Sequence, residues 1–262
     1  MTVLAPAPAP QRVATGMATG DRFYVRIAGA CLVVAVIGFA PTYWLPLVRG
    51  TLDLAPIAHV HAAVFYGWTL LFLLQSWLVA QGRLTRHREW GVFGVALATT
   101  MCFVGMAAAM NSLGRATAAG LGDAARPFSI VPVSGIAFFA LLFTAALLRV
   151  RQPQVHKRLM LVATVSLLQA AVGRWFLIFL APAAAGGGPA GPPPVFVTVM
   201  PALVSDLLIV AAMVHDRRTT GRVHRVYWIA GGALLALQVL RVPLSTTAGW
   251  ARIADWLLTM SL

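Results

Sequence analysis

The sequence predicts an all-α polytopic membrane protein with seven transmembrane helices, N-terminus inside and C-terminus outside. Three observations predict it. First, 60% of the 262 residues are hydrophobic and only 10% are charged. A soluble domain carries about 25% charge, so this chain lacks the polar surface for water. Second, apolar runs long enough to span a bilayer recur at roughly 24–46, 57–80, 90–112, 129–150, 157–181, 195–214 and 226–248. Third, the basic residues alternate between dense and sparse loops.

The elements follow in order. Residues 1–22 are rich in Ala and Pro and predict a disordered cytoplasmic tail. The first apolar run is too long for a signal peptide and has no small-residue cleavage site after it, so it stays as a helix, bent near Pro41. The seven-helix domain covers 23–248. The outer loop 181–194, APAAAGGGPAGPPP, reads as a flexible uncharged tether. Residues 249–262 predict a short amphipathic helix on the outer surface, with Trp250, Ile253, Leu257 and Met260 on one face and Arg252, Asp255 and Thr259 on the other.

Orientation comes from the cations. Arg12, Arg22, Arg26, Arg83, Arg86, Arg88, Arg149, Arg151, Lys157, Arg158, Arg217, Arg218, Arg222 and Arg225 fall on one side; Arg49, Arg115, Arg126 and Arg252 fall on the other. The positive-inside rule places the larger set in the cytoplasm of a bacterial-type inner membrane. The net charge of +13 then reflects contact with anionic headgroups at that face and not a nucleic-acid partner.

Several chemistries are excluded. The only lysine, Lys157, sits at the cytoplasmic edge, which leaves no Schiff-base lysine for retinal. There is no phosphate loop, zinc-protease His pair or nucleophile elbow, and hence no catalytic motif. Cys31 and Cys102 lie in apolar runs without disulfide or zinc spacing. Met101, Met106 and Met110 read as packing rather than as a copper site.

Charges within the apolar runs are the informative residues. Arg174, Asp206 and Arg241 each cost about 2.5–3.5 kcal/mol to place at a helix centre. The depths of Asp206 and the two arginines differ by on the order of 5–7 Å, so an Asp206–Arg pair is expected. Arg174 follows Ser166, Ala170 and Gly173, a small-residue face that turns it inward. Arg241 shares a face with Gln238 and Ser245. On the second helix His61, Trp68 and Gln75 recur every seven residues, whereas His59 falls nearly opposite His61, so HVH is no chelating pair. Together His61, Trp68, Arg174, Asp206 and Arg241 predict a polar, cationic pocket in the outer half for a small anionic or lipid-like ligand. The competing reading has both arginines reaching outer headgroups around a structural ion pair, as in an accessory subunit.

LTRHREWG, QPQVHKRLM and TGRVHRVYW place His87, His156 and His224, each followed by a basic residue, before the third, fifth and seventh runs. The chain thus reads as one leading helix and three related hairpins. On these stretches, with HVHAAVFYGWTLLFLLQ and HKRLMLVATVSLLQAA, it resembles a loose family of bacterial multi-pass membrane proteins of no established function, which implies the architecture only. HREWG is also similar to a fragment of the two-haem transmembrane cytochromes. That resemblance implies one inner haem b held by two of His87, His156 and His224. A second, outer haem lacks ligands, since the fourth helix has no His. The flanking arginines favour membrane-edge anchors, so no cofactor is expected, with haem b as the alternative.

Overall fold

A computed structural model of the protein describes residues 19–180 and 191–260. The predicted tail over 1–22 lies almost wholly outside the described residues, as does most of the predicted tether. No strand occurs among the described residues. Seven helices are long and apolar enough to cross a membrane: α1 (Arg22–Val48), α2 (Pro56–Ala80), α3 (Leu84–Ala118), α4 (Gly122–Leu147), α5 (Pro153–Phe179), α6 (Val195–Thr220) and α7 (Tyr227–Leu244). Helix α8 (Ala248–Thr259) follows, capped by the Thr247 side chain, which accepts from the Trp250 N–H. The multi-pass helical architecture is therefore as the sequence predicts.

The bundle is organised around α5. Leu161, Val162, Ala163 and Val165 of that helix have no exposed surface, because LMLVATV is apolar on every side and can be buried all round. Helix α1 packs on α2 and on the second half of α5, and α2 with α3 and α4 with α5 form adjacent pairs. In lipid the drive for packing is close approach of small side chains rather than removal of apolar surface from water. On α1 these are Ala28, Cys31, Ala35 and Gly38, at helical spacing. A Cβ on Gly38 would meet the Ala171 backbone carbonyl at 2.7 Å, so only glycine lets α1 and α5 come this close. Large apolar residues such as Val92, Phe103, Leu141 and Trp228 point outward, as lipid-facing side chains must.

Local breaks shape the two ends. Helix α1 widens into a π-helical turn at Ala40–Trp44, next to the predicted bend at Pro41, and α7 opens with another at Tyr227–Gly231. Helix α5 breaks at Leu168, between Pro153–Leu167 and Gln169–Leu180.

Two differences from the sequence reading matter below. Helix α3 begins at Leu84 and α5 at Pro153, so His87 and His156 lie in the first helical turns and not in the preceding loops. The polar turns are helical, but hydropathy registers only the apolar remainder. Helix α8 buries Ala254 and Leu257, while Ile253 and Met260 of its expected apolar face are exposed. It is pinned by Trp250 Nε1–H donating to the Arg126 carbonyl and by an Arg126–Asp255 pair at 2.7 Å.

Candidate functional site

The structure brings together two of the five residues expected in one outer pocket. His61 and Arg174 line a 460 Å³ cavity between α1, α2, α3 and α5. Trp68, Asp206 and Arg241 do not line it.

Trp68 is a core residue. It is 2% exposed, packs edge-on against Phe139 and Phe143, and donates from Nε1 to Thr164 Oγ1 at 3.2 Å. The buried indole N–H is thereby satisfied. Its heptad spacing from His61 does put them on one stripe of α2, but the stripe runs the length of the helix past two separate cavities.

The expected Asp206–Arg ion pair does not form among the described residues. Asp206 instead accepts from Gln238 Nε2 at 3.3 Å. Arg241, 1% exposed, donates from Nη1 to Gln169 Oε1 at 3.0 Å and from Nη2 to Thr198 Oγ1 at 2.8 Å. Neutral oxygens from α5 and the start of α6 hold this guanidinium inside the bundle, away from headgroups. The shared face of Arg241, Gln238 and Ser245 is real, and all three are buried.

Asp206 is also not the only acid inside. Asp216 and Arg158 form a buried, two-pronged pair: Nη2 reaches Oδ1 at 2.7 Å and Nε reaches Oδ2 at 2.9 Å, with side chains 3% and 6% exposed. The Arg158 Nη1 donates to the Gln154 carbonyl and side chain, and the His224 backbone N–H donates to Asp216 Oδ2. In the sequence Arg158 is one of the cytoplasmic-edge cations, and Asp216 stands beside Arg217 and Arg218. The signal was that Asp216 is a lone acid in VHDRR, at the same inner depth as Arg158.

The larger cavity, 740 Å³, lies at the opposite end of α2 from His61. His87 of α3 and His156 of α5 both line it; His224 does not. His224 is occupied elsewhere, its Nδ1 accepting from the Val226 N–H at 3.3 Å. Burial, followed by the nearby Arg158, holds the His224 imidazole below its ordinary pKa. His156 is fixed by a different contact. Its Nδ1–H donates to the Ala146 carbonyl of α4 at 2.9 Å, which in a neutral imidazole leaves Nε2 as the lone-pair nitrogen. His87 Nδ1 and Gln75 Oε1, on the wall of the same cavity, are buried polar atoms without a hydrogen-bond partner. Such atoms are rare in folded proteins and mark places where a partner belongs.

The walls suit a flat apolar guest. Gly91 and Gly94 follow His87 by one and two turns on the cavity side of α3, and Phe72 and Phe143 face them from α2 and α4. Arg88, Arg151 and Lys157 add positive charge to a lining that is mostly apolar apart from Tyr24, Gln75, Ser76 and the two histidines, and that contains no Asp or Glu. Among the described residues no group of three or more His, Cys, Asp or Glu is placed to hold a bare metal ion. His87 and His156 are the two imidazoles on this wall, one from each of two helices.

No protein-family model, curated protein or solved structure matches the chain.

Proposed function

We propose that the inner cavity is a haem b site, which His87 and His156 would hold, and that the protein carries electrons in a bacterial-type cytoplasmic membrane. The observation that carries this reading is the pair of histidines from two helices on one apolar cavity, with His156 already fixed through Nδ1. A metal-ligating histidine commonly donates its other ring nitrogen to a carbonyl or carboxylate, which sets the tautomer and the ring plane. The Ala146 carbonyl does this for His156.

A haem held there by two imidazoles would supply single-electron transfer rather than turnover of a bound substrate. The chain's own residues supply the rest. Gly91 leaves room for a ring against α3, where an added Cβ would meet nothing closer than 3.6 Å. Phe72, Phe143 and Trp68 keep water away, which tunes the redox potential. Arg88, Arg151 and Lys157 offer charge-assisted hydrogen bonds to the carboxylates of the guest. By the positive-inside rule this end of the bundle faces the cytoplasm, with the C-terminus outside. A soluble or peripheral redox partner would then approach from the cytoplasmic face, against anionic headgroups.

The test is spectroscopic. The His87→Gln and His156→Gln variants, purified from haem-replete cells, should each lose the Soret band of the parent protein. His224→Gln should keep it. Single variants at both His87 and His156 that retain full haem content would contradict the assignment, as would loss confined to His224→Gln.

A further inference from the structure

The outer cavity carries a separate inference, independent of the inner one. Arg174 enters it from the second half of α5, within a membrane-spanning helix. Its guanidinium lies 4.8 Å from the centre of the Phe39 ring, and among the described residues it has no hydrogen bond and no ion pair. Arg174 is exposed at this cavity, so a cation–π contact with Phe39 leaves its guanidinium N–H donors open to an incoming anion. Arg115 of α3 lines the same cavity, so two guanidinium groups face one space.

No carboxylate answers them. The lining contains no Asp or Glu. Asp53 neighbours a lining residue, Leu54, but is not itself part of the wall. Polar groups that accept or donate accompany the cations: His61 stacked on Phe65 at 4.1 Å, Asn111, and Thr42, whose buried Oγ1 has no partner. Thr42 is presented by the π-helical turn of α1, a feature that recurs at functional sites. Tyr43, Tyr66, Thr69 and Ser112 add hydroxyl groups, and Ile57, Phe65 and Leu167 are among the apolar residues of the wall. A volume of 460 Å³ falls within the range of small-molecule sites, about 300–1,000 Å³.

We infer that this cavity binds an anionic amphiphile, its carboxylate or phosphate head on Arg174 and its apolar tail along the α2–α3 wall. A free fatty acid and an anionic lipid headgroup share that chemistry. Delipidated protein in neutral detergent would be titrated with decanoate, with phosphatidylglycerol and with decanol, and thermal unfolding recorded for the natural sequence, Arg174→Gln and Arg174→Lys. Decanoate or phosphatidylglycerol should raise the midpoint of the natural sequence, and decanol should not. Response to both names the shared head, and response to phosphatidylglycerol alone names the lipid as its source. Arg174→Gln should weaken the response at least roughly tenfold, as expected for loss of a charge-assisted contact, while Arg174→Lys keeps most of it. Equal stabilisation by decanol, no response to either anion, or an undiminished response in Arg174→Gln would overturn the inference. If Arg174→Gln does not fold, the contrast between decanoate and decanol on the natural sequence decides.

Discussion

Asp216→Asn is expected to destabilise the protein by about 3–5 kcal/mol, the usual cost of leaving one member of a buried ion pair alone. Arg158 would keep its Gln154 contacts but lose its countercharge at a position 6% exposed. The substitution would also weaken the acceptor that receives the His224 N–H, and with it the turn between α6 and α7. The other bonds of that turn are local: Gly221 closes α6 at φ 75°, Arg217 Nη1 donates to the Gly221 carbonyl, Thr220 Oγ1 to the Arg222 carbonyl and the Val226 N–H to His224 Nδ1. In detergent the midpoint of thermal unfolding should fall by on the order of 10 °C. Arg126→Gln provides the comparison. Its partner Asp255 is 58% exposed, and such surface pairs contribute about 0–1 kcal/mol. Replacing both partners together, Arg158→Met with Asp216→Leu, should recover most of the loss, since two apolar groups leave no unmatched charge. Asp216→Asn no more destabilising than Arg126→Gln would show that the pair is solvated and that the inner ends of α5 and α6 are not packed as described.

Gly91→Leu is expected to abolish haem binding without touching a ligand. A Cβ at this position meets nothing closer than Gln75 Nε2 at 3.6 Å, so the backbone tolerates a side chain. The leucine would instead project into the cavity, one turn beyond His87. Interiors do not absorb several added methylenes without displacement of what they face. Folding and expression should survive, because the space filled is a cavity and not core. The check is haem content per protein, with the unfolding midpoint recorded alongside. An unaltered Soret band in a folded Gly91→Leu variant would place the guest elsewhere. Gly38→Leu is the contrast: it should fail to fold, since its Cβ would meet the Ala171 backbone.

How much of this could be read from the sequence differs by level. The seven spans were legible because a bilayer demands about twenty apolar residues per helix, and composition alone reports that. Helix ends were less legible. LTRHREW is polar yet helical, so α3 starts at Leu84 rather than at the apolar boundary. The charged residues were legible as types and not as partners. The depths of Asp206 and Arg241 allow a pair, but Gln238 and the neutral oxygens of Gln169 and Thr198 take up their hydrogen bonds. Depth along a helix follows from residue number, whereas azimuth relative to a neighbouring helix depends on packing that no single helix encodes. The same limit separated His61 from Trp68, two turns apart on one face of α2 and yet in different cavities. Of the three inner histidines, depth admitted all, and only the folded bundle puts His87 and His156 on the wall of one cavity and leaves His224 off it.

The inner cavity is the centre of the account, and the most direct measurement is the visible absorption spectrum of the natural protein purified from haem-replete cells. The account predicts a Soret band with sharp α and β bands on reduction, as two imidazole ligands produce, and close to one haem per chain by pyridine haemochrome. A folded, monodisperse protein with no Soret band, after haem has been supplied during expression and again in vitro, would contradict it and return His87 and His156 to the role of membrane-edge anchors.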